Sequence, residues 1–148
     1  MLLKFYVLRK FLDLPKKERQ IISKAFFLLI LVRLGLWLLP FKILQKALEI
    51  LFPPPVMSEP QVTIPVAPET ISRAVRAASP YVPSATCLTQ ALTLRALLAR
   101  EGIASKLEIG VTHDDEAGFA AHAWLEAGGR VVIGGERLDR YTRLERRE

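Results

Sequence analysis

The sequence predicts an α+β protein, in which a helical first part leads to two further helices and a meander of strands. Three observations predict it. Apolar residues keep helical spacing in segments punctuated by Pro15 and Pro40 as far as residue 52. Past Gly102 the apolar period changes to two. The pair Gly128-Gly129 then marks a tight turn between two strand-like runs.

The first part reads as three helices: Leu2–Leu12, then Lys16–Leu39 introduced by Asp13 and Pro15, then Phe41–Leu51 after the break at Pro40. Pro53, Pro54 and Pro55, followed by Ser58, Pro60 and Pro65, cannot continue a helix and read as an extended connector. This divides the chain into a basic apolar helical segment (1–52), a proline-rich connector (53–66) and a C-terminal core (67–148). In the core, Pro68–Ala78 has helical spacing and is closed by Ser79-Pro80. Next comes Pro83-Ser84-Ala85-Thr86-Cys87, where a Ser or Thr cap precedes a helix that stops at Gly102, so Cys87 falls in its first turn. Leu107, Ile109 and Val111 then alternate with polar or small residues as a strand, and residues 113–118 (HDDEAG) read as a polar loop. In Phe119–Glu126, residues Ala120, His122, Trp124 and Glu126 share one face, with Phe119, Ala121, Ala123 and Leu125 on the other. Arg130–Ile133 completes the meander.

At 148 residues and 51% apolar composition, the chain supports one ordinary core with a modest accessory segment. A single cysteine excludes an internal disulfide, and two histidines assemble no familiar zinc spacing; no metal or organic cofactor is expected, and the cytoplasm is the default compartment. The net charge of +6 is carried entirely by the first 60 residues, which hold ten Lys/Arg against four Asp/Glu; the remainder holds eleven of each. Such asymmetry points to an acidic partner or an anionic surface for the first part. The basic residues are scattered, so nucleic-acid binding is not expected. Residues 25–39 (AFFLLILVRLGLWLL) are strongly apolar, but the run is short for a bilayer crossing, carries Arg33, and starts too late for a signal peptide. It suits a helix packed within the protein or on a partner, with peripheral membrane contact the alternative. Exposed apolar surface there predicts poor solubility of the isolated protein.

Cys87 and His122 are the candidate catalytic pair. A thiol at a helix start sits in the partial positive charge of the N-terminus, which favours a negative sulfur, and nearby backbone N–H groups can hold an oxyanion. A histidine on a neighbouring strand can present its imidazole rigidly as the base. Spacing alone leaves both residues open to plainer readings: a small packed core cysteine on a stripe with Ala91, Leu94 and Leu98, and a core histidine satisfied by a backbone carbonyl. His113, beside Asp114 and Asp115, reads as a solvated loop residue.

Residues from about Ser84 to Leu144 resemble the transglutaminase-like leader peptidases of lasso-peptide biosynthesis, the stand-alone protease half of the split B protein. The stretches that carry the resemblance are SATCLTQALTLRALLAREGI around the cysteine, KLEIGV in the first strand, AHAWLE around the histidine, and GRVVIGG with RYTRL at the end. Arg33 ahead of WLLPF is similar to the family's helical lead-in. The resemblance implies a transglutaminase-like core, with the cysteine on a helix N-terminus packed on a small antiparallel sheet, Cys87 as nucleophile and His122 as base. Such sites carry an acid on the next strand to orient the imidazole. Here Gly134 stands about where that acid belongs; Glu136 and Asp139 are the nearest acids downstream, and Glu136 is the candidate in its place, with a solvated turn residue as its plainer reading. Glu126 is four residues along the strand from His122, about 13 Å if the strand is straight.

The resemblance further implies a precursor peptide as substrate, a separate leader-binding protein to deliver it, and an ATP-dependent lasso cyclase acting after cleavage. A separate recognition protein is expected because residues 1–60 are helical and apolar, without a strand to pair a leader. Two other classes share these residues: an acyltransferase or transglutaminase on the same Cys–His core, and a non-enzymatic membrane or partner adaptor in which Cys87 is merely packed.

Overall fold

The computed structural model describes Arg9 and residues 12–55, 66–114 and 118–144. The expected helix Leu2–Leu12 and most of the proline-rich connector lie outside these residues. Helix α1 (Lys16–Leu38) ends because Pro40 forces the preceding residue out of helical geometry: Leu39 is extended at φ −122°, ψ 146°. The Pro40 carbonyl then accepts from Ile43 and Leu44 N–H, starting α2 (Phe41–Leu51). Helix α3 (Pro68–Ala78) has proline at its first position, where a missing N–H costs nothing, and passes into a 3₁₀ turn at Ser79–Tyr81. Helix α4 (Cys87–Arg100) is capped by Thr86 and released at Gly102, whose φ of +74° lets Ile103 N–H return to Leu98 O at 2.8 Å.

Four antiparallel strands follow, in the order β3-β2-β1-β4. Strands β1 (Ser105–Asp114) and β2 (Gly118–Ala127) pair along their whole length, from Ser105↔Ala127 to Asp114↔Gly118. The loop expected at 113–118 is therefore shorter: His113 and Asp114 extend β1, because the register set by the apolar positions continues to the hairpin end. Gly128 and Gly129, both at positive φ, turn β2 into β3 (Arg130–Ile133), as the sequence predicted. The two-residue strand β4 (Thr142–Arg143) pairs with β1 at Gly110 and Val111 and was not expected.

Helix α4 lies on the sheet face made by Leu107, Ala123, Leu125 and Ala127. Its other sides pack against α1 and α3, so Ala25, Leu28, Leu29, Val32 and Leu44 share one hydrophobic cluster with Val75, Leu94, Leu98 and Leu125. The helical segment and the C-terminal core thus build a common interior across the connector. Each fully buried leucine among them contributes about 1.5–3 kcal/mol. Glu49 of α2 also pairs with Arg95 of α4 at 2.9 Å, and the buried Ser72 hydroxyl of α3 donates to Val132 O of β3. The hairpin outruns α4, which explains why Phe119 and Ala121 are exposed although they share a face with the buried Ala123 and Leu125.

Among the described residues, only one side of α1 is covered. Arg33 is half-buried, while Phe27, Leu31, Leu34, Trp37 and Leu38 are exposed. At 23 residues the helix spans about 35 Å, so by length and composition it could cross a membrane. The limit that the shorter run 25–39 set on its length does not apply to the whole helix.

A cysteine and a histidine on one cleft

Cys87 is the first residue of α4. The Thr86 side chain accepts from Thr89 N–H at 3.3 Å, and Thr86 O accepts from Gln90 N–H at 3.0 Å. These bonds engage the third and fourth amides of the helix, so the intrahelical pattern supplies no acceptor for the N–H groups of Cys87 and Leu88. The chain reaches this point through Ser84, whose positive φ of 57° is uncommon for a residue with a Cβ and sets the sharp entry into the helix. Cys87 is half-buried and packs on the edge of the hydrophobic cluster, yet it also faces an open cleft. The reading of Cys87 as a packed residue therefore describes only one side of it.

His122, in the middle of β2, lines the same cleft. Its Nε2 lies 2.8 Å from Gly134 O. A carbonyl oxygen only accepts, so Nε2 carries a proton, and in the neutral imidazole Nδ1 is then the nitrogen with the free lone pair. The imidazole is stacked on Tyr141, with ring centroids 5.0 Å apart, and on its other neighbour Trp124 at 6.4 Å. Trp124, 1% exposed, is itself fixed: its Nε1–H donates to Glu126 at 3.1 Å, and the Arg143 guanidinium lies over the indole, 5.4 Å from its centroid. Arg143 also pairs with Glu126 at 2.7 Å, and beside it the buried Glu108 meets Lys106 and Arg143. The lattice of charges thus stabilises Trp124, and Trp124 and Tyr141 hold the imidazole plane.

Gly134 earns its position through its backbone. Its φ is +75°, and a Cβ there would come within 2.6 Å of Ala123 O, so glycine lets the chain pass close enough to β2 for its carbonyl to reach the imidazole. The imidazole's hydrogen-bond partner here is thus a main-chain carbonyl two residues before Glu136, the candidate for the orienting acid. Glu136 is exposed at the rim of the cleft. Asp139 is exposed on the 3₁₀ turn Leu138–Arg140, and Glu126 is committed to Trp124 and Arg143, as its distance along the strand anticipated. His113 is exposed and faces Phe119 across the hairpin.

One cleft residue, Gln90, and one neighbour of the imidazole, Tyr141, escaped the sequence reading. Gln90, one turn beyond Cys87 on the same helix face, donates through Nε2 to Ser79 Oγ at 2.8 Å and ties α4 to the opposite cleft wall. Its i+3 spacing from Cys87 was the available signal. Tyr141 had none in its spacing, because it lies between a 3₁₀ turn and the two-residue β4, where no period develops. Among the described residues no three His, Cys, Asp or Glu side chains converge to hold a metal.

A cysteine at a helix N-terminus and a strand histidine, brought to one cleft beside an antiparallel sheet, define a Cys–His core of the kind used in acyl-transfer chemistry. The sequence model of the transglutaminase-like superfamily matches residues 35–146, from within α1 through β4, and the chain belongs to that superfamily. Membership carries a cysteine protease or transglutaminase type of function in general terms. No curated protein and no solved structure matches the chain.

Proposed function

We propose that this protein is a cysteine peptidase that removes the leader from a lasso-peptide precursor, with Cys87 as nucleophile and His122 as base. The observation that supports the catalytic part is that Cys87 and His122 line one cleft, with the imidazole held through Nε2 by Gly134 O, so that in the neutral ring Nδ1 has the free lone pair. The substrate class rests on the resemblance of the stretches around Cys87 and His122 to lasso leader peptidases.

In this mechanism His122 accepts the Cys87 proton, and the thiolate attacks the last carbonyl of the leader. The oxyanion is held by the N–H groups of Cys87 and Leu88 at the helix start. The intermediate collapses as His122 protonates the departing core-peptide amine, leaving a thioester between Cys87 and the leader. Water, deprotonated by His122, then releases the leader as an acid and returns the thiol. While the imidazole is charged, the Gly134 carbonyl keeps accepting from Nε2–H, and the rings of Tyr141 and Trp124 offer π faces to the cation. Glu136, exposed at the rim, is free in this reading to meet the substrate. Residues 12–55, as described, are helices and turns with no strand to pair a leader, which supports delivery by a separate leader-binding protein and hand-over of the freed core to an ATP-dependent lasso cyclase.

The test is incubation with a precursor peptide and its leader-binding partner, read by intact mass. One-bond cleavage by wild type and none by Cys87→Ala is expected. An amide-linked product in place of the free leader acid would instead mark an acyltransferase, and cleavage by the alanine variant would remove Cys87 from the chemistry.

A further inference from the structure

Helix α1 carries two apolar stripes, and the fold uses one. Ala25, Leu28, Leu29 and Val32 are sealed into the interior, none more than 9% exposed. Phe27, Leu31, Leu34 and Leu38 recur at steps of four, three and four on the side away from that interior, 66%, 63%, 47% and 69% exposed. Trp37 is 78% exposed near the helix end, and Ile43, just beyond Pro40 at the start of α2, is 54% exposed. Large apolar side chains held together in water at this density mark a surface that something covers.

Charge says what. From Arg19 to Leu48 the sequence has five basic residues and no acidic one. Lys24, Lys42 and Lys46 are exposed on α1 and α2, and Arg33 is half-buried. Glu49, the first acid after that stretch, is occupied by Arg95. An apolar face with basic side chains around it and a tryptophan near one end matches the chemistry of an anionic bilayer surface, apolar below and negative at the headgroups. A crossing is disfavoured by the same structure: the inner stripe would have to leave Val75, Leu94 and Leu98, opening the core.

We infer that α1, with the start of α2, lies in the interface of an anionic membrane, its outer stripe immersed and the cleft-bearing domain in water. This holds whatever bond the enzyme cuts. The protein would then work as a peripheral membrane enzyme, taking substrate and partners at the membrane surface.

The two tryptophans make the test direct, since Trp124 is buried at 1% exposure and Trp37 is exposed. The full chain is titrated with vesicles of phosphatidylcholine alone or mixed with phosphatidylglycerol, at low and high salt, following tryptophan emission and co-sedimentation. The expected result is a blue shift and pelleting with the anionic vesicles, both weakened by salt. Trp37→Phe should pellet without the shift. Lys24→Glu, Lys42→Glu and Lys46→Glu together change only exposed positions and should weaken binding by about a hundredfold, at roughly fivefold or more per lysine. Several outcomes would overturn the inference: equal binding to neutral vesicles, no binding with Trp37 already blue-shifted in a soluble dimer, or binding that only detergent reverses, as for a spanning helix.

Discussion

Placing a side chain on Gly134 should disable the enzyme by displacing one carbonyl. In Gly134→Ala the new Cβ would stand 2.6 Å from Ala123 O and 3.0 Å from both Cα and Cβ of Trp124. Ordinary contact begins at 3.4 Å, so the segment must retreat by about 0.8 Å. A retreat of that size along the bond carries the 2.8 Å Nε2···O contact past the upper end of a normal hydrogen bond. Alanine at a φ of +75° adds about 1–2 kcal/mol of backbone strain, and the lost bond about 1 kcal/mol. We expect a total destabilisation of about 2–3 kcal/mol, seen as a fall of roughly 5–10 °C in Tm. Turnover should fall by about a hundredfold, the scale set by a catalytic group misplaced by about 1 Å. Cleavage kinetics and thermal unfolding measure the two. Nitrogen-15 NMR of the imidazoles gives a readout independent of substrate: wild-type His122 should show a protonated Nε2 and a bare Nδ1, while His113, exposed, supplies the solvated reference. A folded alanine variant that keeps wild-type turnover, or a wild-type His122 with its proton on Nδ1, would refute the assignment of Gly134 O as the imidazole's partner.

Two further expectations follow from the same site. Glu136→Gln should leave turnover within about threefold, because the imidazole is already held by a carbonyl; a loss as deep as that of His122→Ala would return the orienting role to the carboxylate. Tyr141→Leu removes the ring stacked on His122, worth about 0.5–1.5 kcal/mol, and should lower kcat up to about tenfold with KM little changed, whereas Tyr141→Phe should retain activity. Steady-state kinetics on the precursor would show a KM effect instead if Tyr141 served substrate binding.

How much of this was legible beforehand depended on whether the determinant was local. Proline at 40 and 68, threonine at 86, glycine at 102 and the glycine pair at 128 and 129 act on their own backbone dihedrals, so the ends of α1 to α4 and the β2–β3 turn could be read directly. Period-two alternation likewise put His122, Trp124 and Glu126 on one face, and a cap before Cys87 put it at a helix start. The two-residue β4 was too short to declare itself, and β1 ran on through His113 because pairing with β2 outweighed the polar composition there.

The sequence by itself therefore determined most of the elements and the places of Cys87 at a helix start and His122 on a strand, since capping, turn geometry and periodicity are properties of neighbouring residues. Only the tertiary structure decided what surrounds them. It brought Gly134 O to His122 across twelve positions, laid Tyr141 on the imidazole, and committed Glu126 to Trp124 and Arg143. It also chose which apolar stripe of α1 was buried and which was left to face outward. The physical reason is common to all of these. Every residue brings a backbone carbonyl, and either side of a helix with two apolar stripes can pack, so only the relative placement of distant segments selects the one that acts.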